Sequence, residues 1–320
     1  MAQNIWYDNF LELLFSRYAK RTELTEALMD LLHLEREAVY RRLRKDVVFT
    51  ANEIAKIAMS WQISFDDIIV KSSNEMAFRG RMLDYLNPSE EDLDAIHTVV
   101  QMLEHIKDFP DLEYMEISNR LSRMLTTGFE YLTRFYLLKW KYQYANGDTP
   151  TFSQIICLEE VKNFSSDFYK MSKNLSNINF VWDNRIFSYL ADDIRCFHSI
   201  YMITDEEKEL IKSDLYALID YMSEVASKGC WLETGNKVNL YISQVNIDTN
   251  YHYYYYDSKV QLCGINIFGK NIIYSTNSAM LEDFRTFMQS KKKSSVQISE
   301  ANERNRIEFF MKQRQLIDSL

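Results

Sequence analysis

The sequence has few residues that break secondary structure: only 3 Pro and 7 Gly occur in 320 residues. Proline and glycine are the residues that most often end helices and mark turns. Their scarcity therefore favours long helices and leaves little room for disordered linkers. The length, roughly twice that of an average domain, predicts two domains.

Long apolar runs and paired cysteines are also lacking. No run approaches the roughly 18 apolar residues of a membrane span, and the N-terminus does not have the pattern of a secretion signal. We therefore expect a cytoplasmic protein with no membrane partner. The four cysteines have no C-x-x-C spacing, which argues against zinc or redox chemistry and predicts reduced thiols in the core; they are Cys157, Cys196, Cys230 and Cys263.

Catalytic signatures are missing as well. The sequence contains no G-x-S-x-G, Walker, H-E-x-x-H or G-x-G-x-x-G motif. Cys196 and His198 fall about 200° apart on a helix, so their side chains cannot face one site together. We expect no enzyme activity, no metal and no cofactor.

What the sequence does have is a local concentration of positive charge in an acidic chain. The formal net charge is -9, yet residues 36–45 include a single acid, Glu37. The same segment carries five basic side chains, which are Arg36, Arg41, Arg42, Arg44 and Lys45. Net charge governs mainly solubility, whereas local fields decide what a surface binds. The distribution of charge therefore matters more than its sum.

Periodic apolar residues predict a unit of five helices in the first 70 residues. The first covers residues 8–18, and the second follows from Thr22, which can cap it. The third is the basic segment. Thr50 and Glu53 match the capping box of a fourth helix, and a weaker box at Ser64 opens a fifth.

In the basic helix, Val39 and Leu43 lie four residues apart and share one face. Charged side chains fall on roughly the opposite face; they are Glu37, Arg41, Arg44 and Lys45. Two short helices joined by a tight turn, with cations pointing outward from the second, are how many proteins enter the major groove of DNA.

Two segments are similar to a known family of domains: ELTEALMDLLHLEREAVYRRLRKD and FTANEIAKIAMSWQISFDDII. Residues 5–69 resemble the lambda-repressor/Cro-type helix-turn-helix domain of bacterial transcriptional regulators, in the order of helix, turn, recognition helix and the "I-A-K-I-A" helix. The resemblance covers about a fifth of the chain and implies DNA binding. Two positions depart from the family pattern: His33 stands where a turn Gly is common, and Arg42 stands where an inward aliphatic residue is expected, a role that helical geometry gives to Leu43.

Positions in the basic helix and near the start of the second helix predict two kinds of DNA contact. Base edges in the major groove are assigned to Arg36, Glu37, Tyr40 and Arg41. Phosphates are assigned to Lys20, Arg21, Thr22, Arg42, Arg44 and Lys45. The competing interpretation is a solvated basic face stabilised by pairs at helical spacing, such as Glu37 with Arg41.

The remainder of the chain predicts a linker and a larger domain. Residues 71–91 lose helical periodicity, and Asn87-Pro88 with the cap-like Ser89 marks a new helix start. Helices are predicted at 90–107, 118–145, 152–175, 183–202, 205–227, 278–290 and 300–318. Between residues 238 and 276, β-branched and aromatic residues predict three or four antiparallel strands, with a turn at residues 269–271.

Together these patterns predict a mainly α protein. A five-helix helix-turn-helix domain occupies residues 1–70, a linker residues 71–91, and an α+β domain with a small antiparallel sheet residues 92–320. Since one such module covers half of a DNA site, a homodimer is expected. The last helix, with Ile307, Phe310, Met311 and Ile317 on one stripe, is expected to dock on its own domain rather than zip to a partner.

The function predicted from the sequence is sequence-specific DNA binding by a transcriptional regulator. Its partner is double-stranded DNA, and aromatic-rich segments leave room for a small-molecule or peptide effector in the larger domain. Two alternatives stay open: a protein-interaction adaptor that retains a helix-turn-helix framework, and a DNA-binding module fused to an unrecognised enzyme domain.

Overall fold

The structure, a computed structural model, describes residues 5–18, 20–61, 63, 77–144, 150–257 and 259–320. The chain divides into two compact units, Met1–Phe78 and Arg79–Leu320. Each unit has its own cluster of buried apolar side chains. No helix in the described ranges is long and apolar enough to cross a membrane.

The first unit is helical. Its described helices are α1 (Ile5–Ser16), α2 (Arg21–Leu32), α3 (Arg36–Leu43) and α4 (Ala51–Trp61). All four contribute to one core, in which Phe10, Leu28, Val39 and Ile57 are fully buried. The fifth helix predicted from Ser64 lies outside the described residues.

Local signals in this unit explain where its helices start. Thr50 and Glu53 form the predicted capping box, since the Glu53 carboxylate accepts from the Thr50 amide at 2.8 Å and the Glu53 amide donates to the Thr50 hydroxyl at 3.3 Å. The cap predicted at Thr22 is wrong. Lys20, whose backbone is extended, is the N-cap of α2, so the helix begins at Arg21 and Thr22 lies inside its first turn.

The second unit contains eight described helices and a sheet. The helices are α5 (Glu90–Ile106), α6 (Arg123–Thr126), α7 (Glu130–Tyr144), α8 (Glu159–Ser172), α9 (Ile186–Ser199), α10 (Asp205–Lys228), α11 (Ser278–Lys293) and α12 (Glu303–Asp318). Ser89, the predicted cap, closes a capping box at the start of α5, and Thr204 closes another with Glu207 at the start of α10.

The sheet is much larger than the one predicted. Its strands are β1 (Arg79–Gly80), β2 (Glu113–Ser118), β3 (Asn177–Asp183), β4 (Lys237–Ser243), β5 (Tyr251–Tyr256), β6 (Val260–Ile267), β7 (Asn271–Ser275) and β8 (Val296–Gln297). They form one eight-stranded sheet in the order β1-β7-β6-β5-β2-β3-β4-β8. The prediction of a mainly α protein with a small antiparallel sheet is therefore wrong, and the fold is α/β with a large mixed sheet.

The error has a physical cause in the centre of the sheet. β2, β3 and β4 run parallel and are joined by helical crossovers. Parallel strands are buried on both faces and do not show the alternation of polar and apolar residues by which half-buried strands are recognised. The sequence pattern therefore predicts no strand at β2 or β3, which lie between predicted helices. It places β4 among the strands of the small antiparallel sheet.

Helices cover both faces of this central sheet. Tyr114 on β2 and Phe180 on β3 point into the large core formed with the crossover helices. Because successive strand residues point to opposite faces, Glu113 and Asn179 project to the other side. There they meet α11: Gln289 donates to Glu113 at 2.9 Å, and Lys292 donates to Asn179 at 2.7 Å.

Residues 79–91, predicted to be linker, belong to the second unit. β1 pairs antiparallel with β7, and Arg81 forms ion pairs with Glu91 and Asp92 at 2.6 and 3.1 Å. At the other end of the unit, α12 docks on α9 and α10 as expected, with Phe310 and Ile317 buried. Ile307 and Met311 are exposed instead.

The four cysteines are free thiols, but they do not all lie in the core. Cys263 is buried, Cys157 and Cys230 are partly buried, and Cys196 is exposed. The prediction of core thiols is therefore wrong for Cys196, which lies on the outer side of α9 while its neighbours Ile194 and Phe197 face the core.

Candidate nucleic-acid interface

The α3 helix is amphipathic in the sense that DNA recognition requires. Val39 and Leu43 are buried against the core of the first unit, so Leu43 does take the inward role. Arg36, Glu37 and Arg41 are exposed on the outer side. One face of the helix therefore anchors it, and the other presents charged side chains to a partner.

The turn that sets the direction of α3 is made by His33. This residue ends α2 in the left-handed conformation, with φ 54° and ψ 46°, and its amide donates to the carbonyl of Met29. Glycine favours this conformation because other residues strain there. His33 thus takes the conformation in which glycine is the usual residue, and the turn forms without a glycine.

The four residues assigned to base edges differ in their exposure to solvent and in their ion pairs. Arg41 is exposed and has no carboxylate within ion-pair distance in the described part of the chain. Arg36 lies 3.3 Å from Glu26 on α2, and Glu37 accepts from Arg44 at 2.8 Å. Tyr40 is half-buried. The predicted pair between Glu37 and Arg41 is not formed, so Arg41 remains available to a ligand.

Arg42 is held inside the unit. Its Nε and a terminal nitrogen donate to the two Glu53 oxygens at 3.0 and 2.8 Å. The side chains of Arg42 and Glu53 are only 14% and 15% exposed. A third bond goes to the Ala38 carbonyl at 3.1 Å. Burial raises the pKa of Glu53, but the hydrogen bonds from Arg42 and Thr50 outweigh burial and hold that pKa below its ordinary value.

The geometry places Arg42 away from the other residues that were assigned to phosphates. Its guanidinium joins α3 to the capping box of α4, which is a position from which it cannot swing out without breaking a bidentate pair. At this half-buried position the chain therefore carries an arginine whose charge is matched by Glu53.

Arg44 and Lys45 lie just beyond the end of α3 and are a little over half exposed, at 56% and 54%. Arg44 pairs with Glu37 and, at 3.3 Å, with Asp46. Lys45 pairs with Asp8 of α1. Ion pairs this exposed are worth only about 0–1 kcal/mol, so a phosphate can displace the carboxylate at little cost.

The start of α2 forms a second cationic position. Lys20, Arg21 and Thr22 are exposed there, and the first amides of a helix have no partner within it. An open pocket of about 270 Å³ adjoins this end of the helix, and Phe15 and Tyr18 are among the residues that line it. Sequence spacing places these two aromatic residues in the first predicted helix and gives no sign that they flank the start of the second.

Comparison with known proteins gives no relationship: no family model, no curated protein and no solved structure matches this chain.

Proposed function

We propose that the chain is a sequence-specific DNA-binding transcriptional regulator in which α3 enters the major groove. The observation that carries the proposal is Arg41. It lies on the outer face of a helix anchored by Val39 and Leu43 and has no carboxylate partner within the described residues. An arginine fork of this kind makes two hydrogen bonds to the O6 and N7 atoms of guanine.

The surrounding charges supply the phosphate contacts. Lys20, Arg21 and Thr22 lie at the start of α2, where helix amides favour anions, and Arg44 and Lys45 lie at the end of α3. Their carboxylate partners are exposed and weakly bound, which permits exchange for phosphate. Arg42 is not part of this set, since its charge is already matched by Glu53.

A regulator of this class acts in the cytoplasm and as a homodimer, because one helix-turn-helix module reads only half of a site. Two modules bind half-sites about one turn of DNA apart, and the site should then be an inverted repeat. Sedimentation of the full chain with and without DNA measures the dimer. A monomer under both conditions would exclude it.

The first experiment is selection of bound sequences from a random pool of duplex DNA by the purified full chain. Enrichment of a guanine-containing inverted repeat supports both the reading helix and the dimer. If the chain ignores duplex DNA even in dilute buffer, where phosphate contacts are strongest, the proposal fails and the protein-interaction adaptor becomes the better explanation.

The second experiment replaces Arg41 by alanine. Loss of a bidentate base contact should cost about 1–3 kcal/mol on the selected site and relax the preference at a single base pair. Arg304→Ala is the matched control, because Arg304 is an exposed arginine on a helix of the second unit, 89% exposed and paired with Glu308. Equal losses on selected and random DNA would show that Arg41 does not read a base.

A further inference from the structure

Three cationic side chains lie together at the carboxyl ends of strands β2 and β6 in the second unit. Arg120 follows the carboxyl end of β2, and Arg123 comes three residues later in α6. Lys270 lies in the turn between β6 and β7, and β6 runs in the same direction as β2 because β5 between them is antiparallel to both. All three line one cavity of about 30 Å³, enough for one or two waters.

These cations lack the counter-charge that buried cations normally have. None of the three forms an ion pair within the part of the chain that the structure describes. Arg120 donates to the Gly269 carbonyl, and Arg123 donates to the Tyr85 hydroxyl at 3.2 Å. Nε of Arg123 is buried and has no hydrogen-bond partner among the described residues, although a buried unpaired donor is costly.

The one carboxylate in the cavity does not neutralise them. Glu116 accepts from the hydroxyls of Tyr114 and Ser122 at 2.6 and 2.7 Å. Burial raises the pKa of Glu116 above its ordinary value. Burial together with Arg123 and Arg120 lowers the pKa of Lys270 to about 7 and that of His252 to about 4. Lys270 and His252 are thus displaced toward their neutral forms by burial and by the neighbouring arginines, as expected where positive charges are crowded. The raised pKa of Glu116 has a different cause, since it comes from burial and is opposed by Arg120.

The location is one where α/β proteins bind ligands. Binding sites in such sheets lie beyond the carboxyl ends of the strands, where loops can close around a ligand. Here the loop after β2 and the turn after β6 meet, and open space of about 440 Å³, including the mouth, surrounds the cavity. The cavity itself holds only part of a compact anionic group, and the rest of the ligand extends into the mouth.

We propose that this pocket binds the phosphate group of a small-molecule ligand through Arg120, Arg123 and Lys270. Arginine forks match phosphate oxygens bidentately, and lysine adds a point charge. Two arginines and a lysine suit a doubly charged phosphate better than a singly charged carboxylate. The described residues that line this site all belong to the second unit, so the proposal does not depend on DNA binding by the first unit.

The test uses the purified full chain in a buffer free of multivalent anions. Inorganic phosphate, sulfate and acetate are titrated calorimetrically at one ionic strength, with chloride as the background anion. Phosphate and sulfate should bind and acetate should bind at least about tenfold more weakly, because a single charge matches fewer of the donors. Equal binding of acetate, or no binding of phosphate beyond that of chloride, would overturn the proposal.

The variant Lys270→Met removes one charge and keeps the length of the side chain. Phosphate affinity should fall at least about tenfold, the loss typical of a charge-assisted bond. The control is Lys259→Met, which changes an exposed lysine in the turn between β5 and β6 that lies 5.8 Å from a tyrosine ring, as Lys270 lies 5.1 Å from the ring of Tyr85. An equal fall in both variants would refute the pocket.

Thermal unfolding distinguishes this loss from misfolding. Lys270→Met should melt at the same temperature as the parent protein or higher without phosphate, because it removes repulsion from Arg120 and Arg123. Added phosphate should then raise the melting temperature of the parent protein more than that of the variant, because the variant binds phosphate at least about tenfold more weakly. A variant that melts lower and still gains from phosphate would count against Lys270 as a ligand contact.

Sulfate, which does not titrate near neutral pH, supplies a further signature. Binding requires charged Lys270, so sulfate affinity should fall as the pH rises through about 7 and should be nearly flat in Lys270→Met. The charged and titratable groups that face Lys270 are Arg120, Arg123, Glu116, Cys157, Tyr85 and Tyr136. A flat profile in the parent protein would show that Lys270 does not contact the anion.

Discussion

Replacing Arg42 by alanine should destabilise the first unit without removing a DNA contact. The side chain makes two charge-assisted hydrogen bonds to Glu53 at 3.0 and 2.8 Å in a setting that is mostly shielded from water. Bonds of this type contribute about 1.5–3 kcal/mol each, but Glu53 keeps its bond to the Thr50 amide and can regain water. We therefore expect a net loss of about 2 kcal/mol in the free energy of unfolding.

This loss is large for a unit as small as Met1–Phe78. One kcal/mol shifts the melting temperature of such a domain by about 4–8 °C, so Arg42→Ala should melt about 8–16 °C lower. Hydrogen exchange of the α4 amides in the full chain isolates this unit from the second. A cycle with Glu53→Ala should give a coupling energy of about 1–2 kcal/mol.

The same measurements separate a structural arginine from a DNA-binding one. The salt dependence of DNA binding should be unchanged in Arg42→Ala, measured at a temperature where the variant is folded. Arg44→Ala is the matched control: it should lower the salt dependence and leave exchange at α4 almost unchanged. If Arg42→Ala kept full stability and reduced the salt slope, the ion pair with Glu53 would not explain the role of Arg42.

Three further predictions concern the same unit. Lys45→Ala should reduce the slope of log affinity against log salt by about 0.9, since one fewer counterion is released; an unchanged slope would exclude a phosphate contact. His33→Gly should stabilise the unit by about 0.5 kcal/mol, because the relief of strain in the left-handed turn, about 1 kcal/mol, exceeds the cost of the greater freedom of glycine in the unfolded chain; a lower melting temperature would contradict this. The pKa of Glu53 lies below its ordinary value of 4.5, so its contribution is present above about that pH and is lost as the pH falls through the folded pKa; acid titration of stability in Glu53→Gln should show a shallower decline than in the parent protein.

The helices of the first unit were predictable because their signals are local. Val39 and Leu43 share a face through helix geometry alone, and the capping box of Thr50 and Glu53 needs only residues three apart. The structure has both. The pairing of Arg42 with Glu53 was not predictable, since it joins two helices whose relative position is set by packing.

The sheet shows the opposite case. The hairpins formed by β5, β6 and β7 were visible as segments rich in β-branched and aromatic residues and separated by turns, and they pair antiparallel as expected. β2 and β3 were missed because they are buried on both faces and their partners lie more than fifty residues away in the chain. Strand pairing at that distance depends on the whole fold and leaves no periodic trace.

The anion pocket likewise has no counterpart in sequence spacing. Arg120 and Arg123 lie close together in the chain, but Lys270 is brought beside them only by the pairing of β5 with both β2 and β6.

What the sequence determined by itself is the amphipathic α3 helix with its outward cations, because helical periodicity and charge are properties of neighbouring residues. The tertiary structure alone decided which cations are neutralised and which are free. An ion pair or a cationic cavity depends on side chains from distant segments and on their removal from water, and neither can be predicted from neighbouring residues.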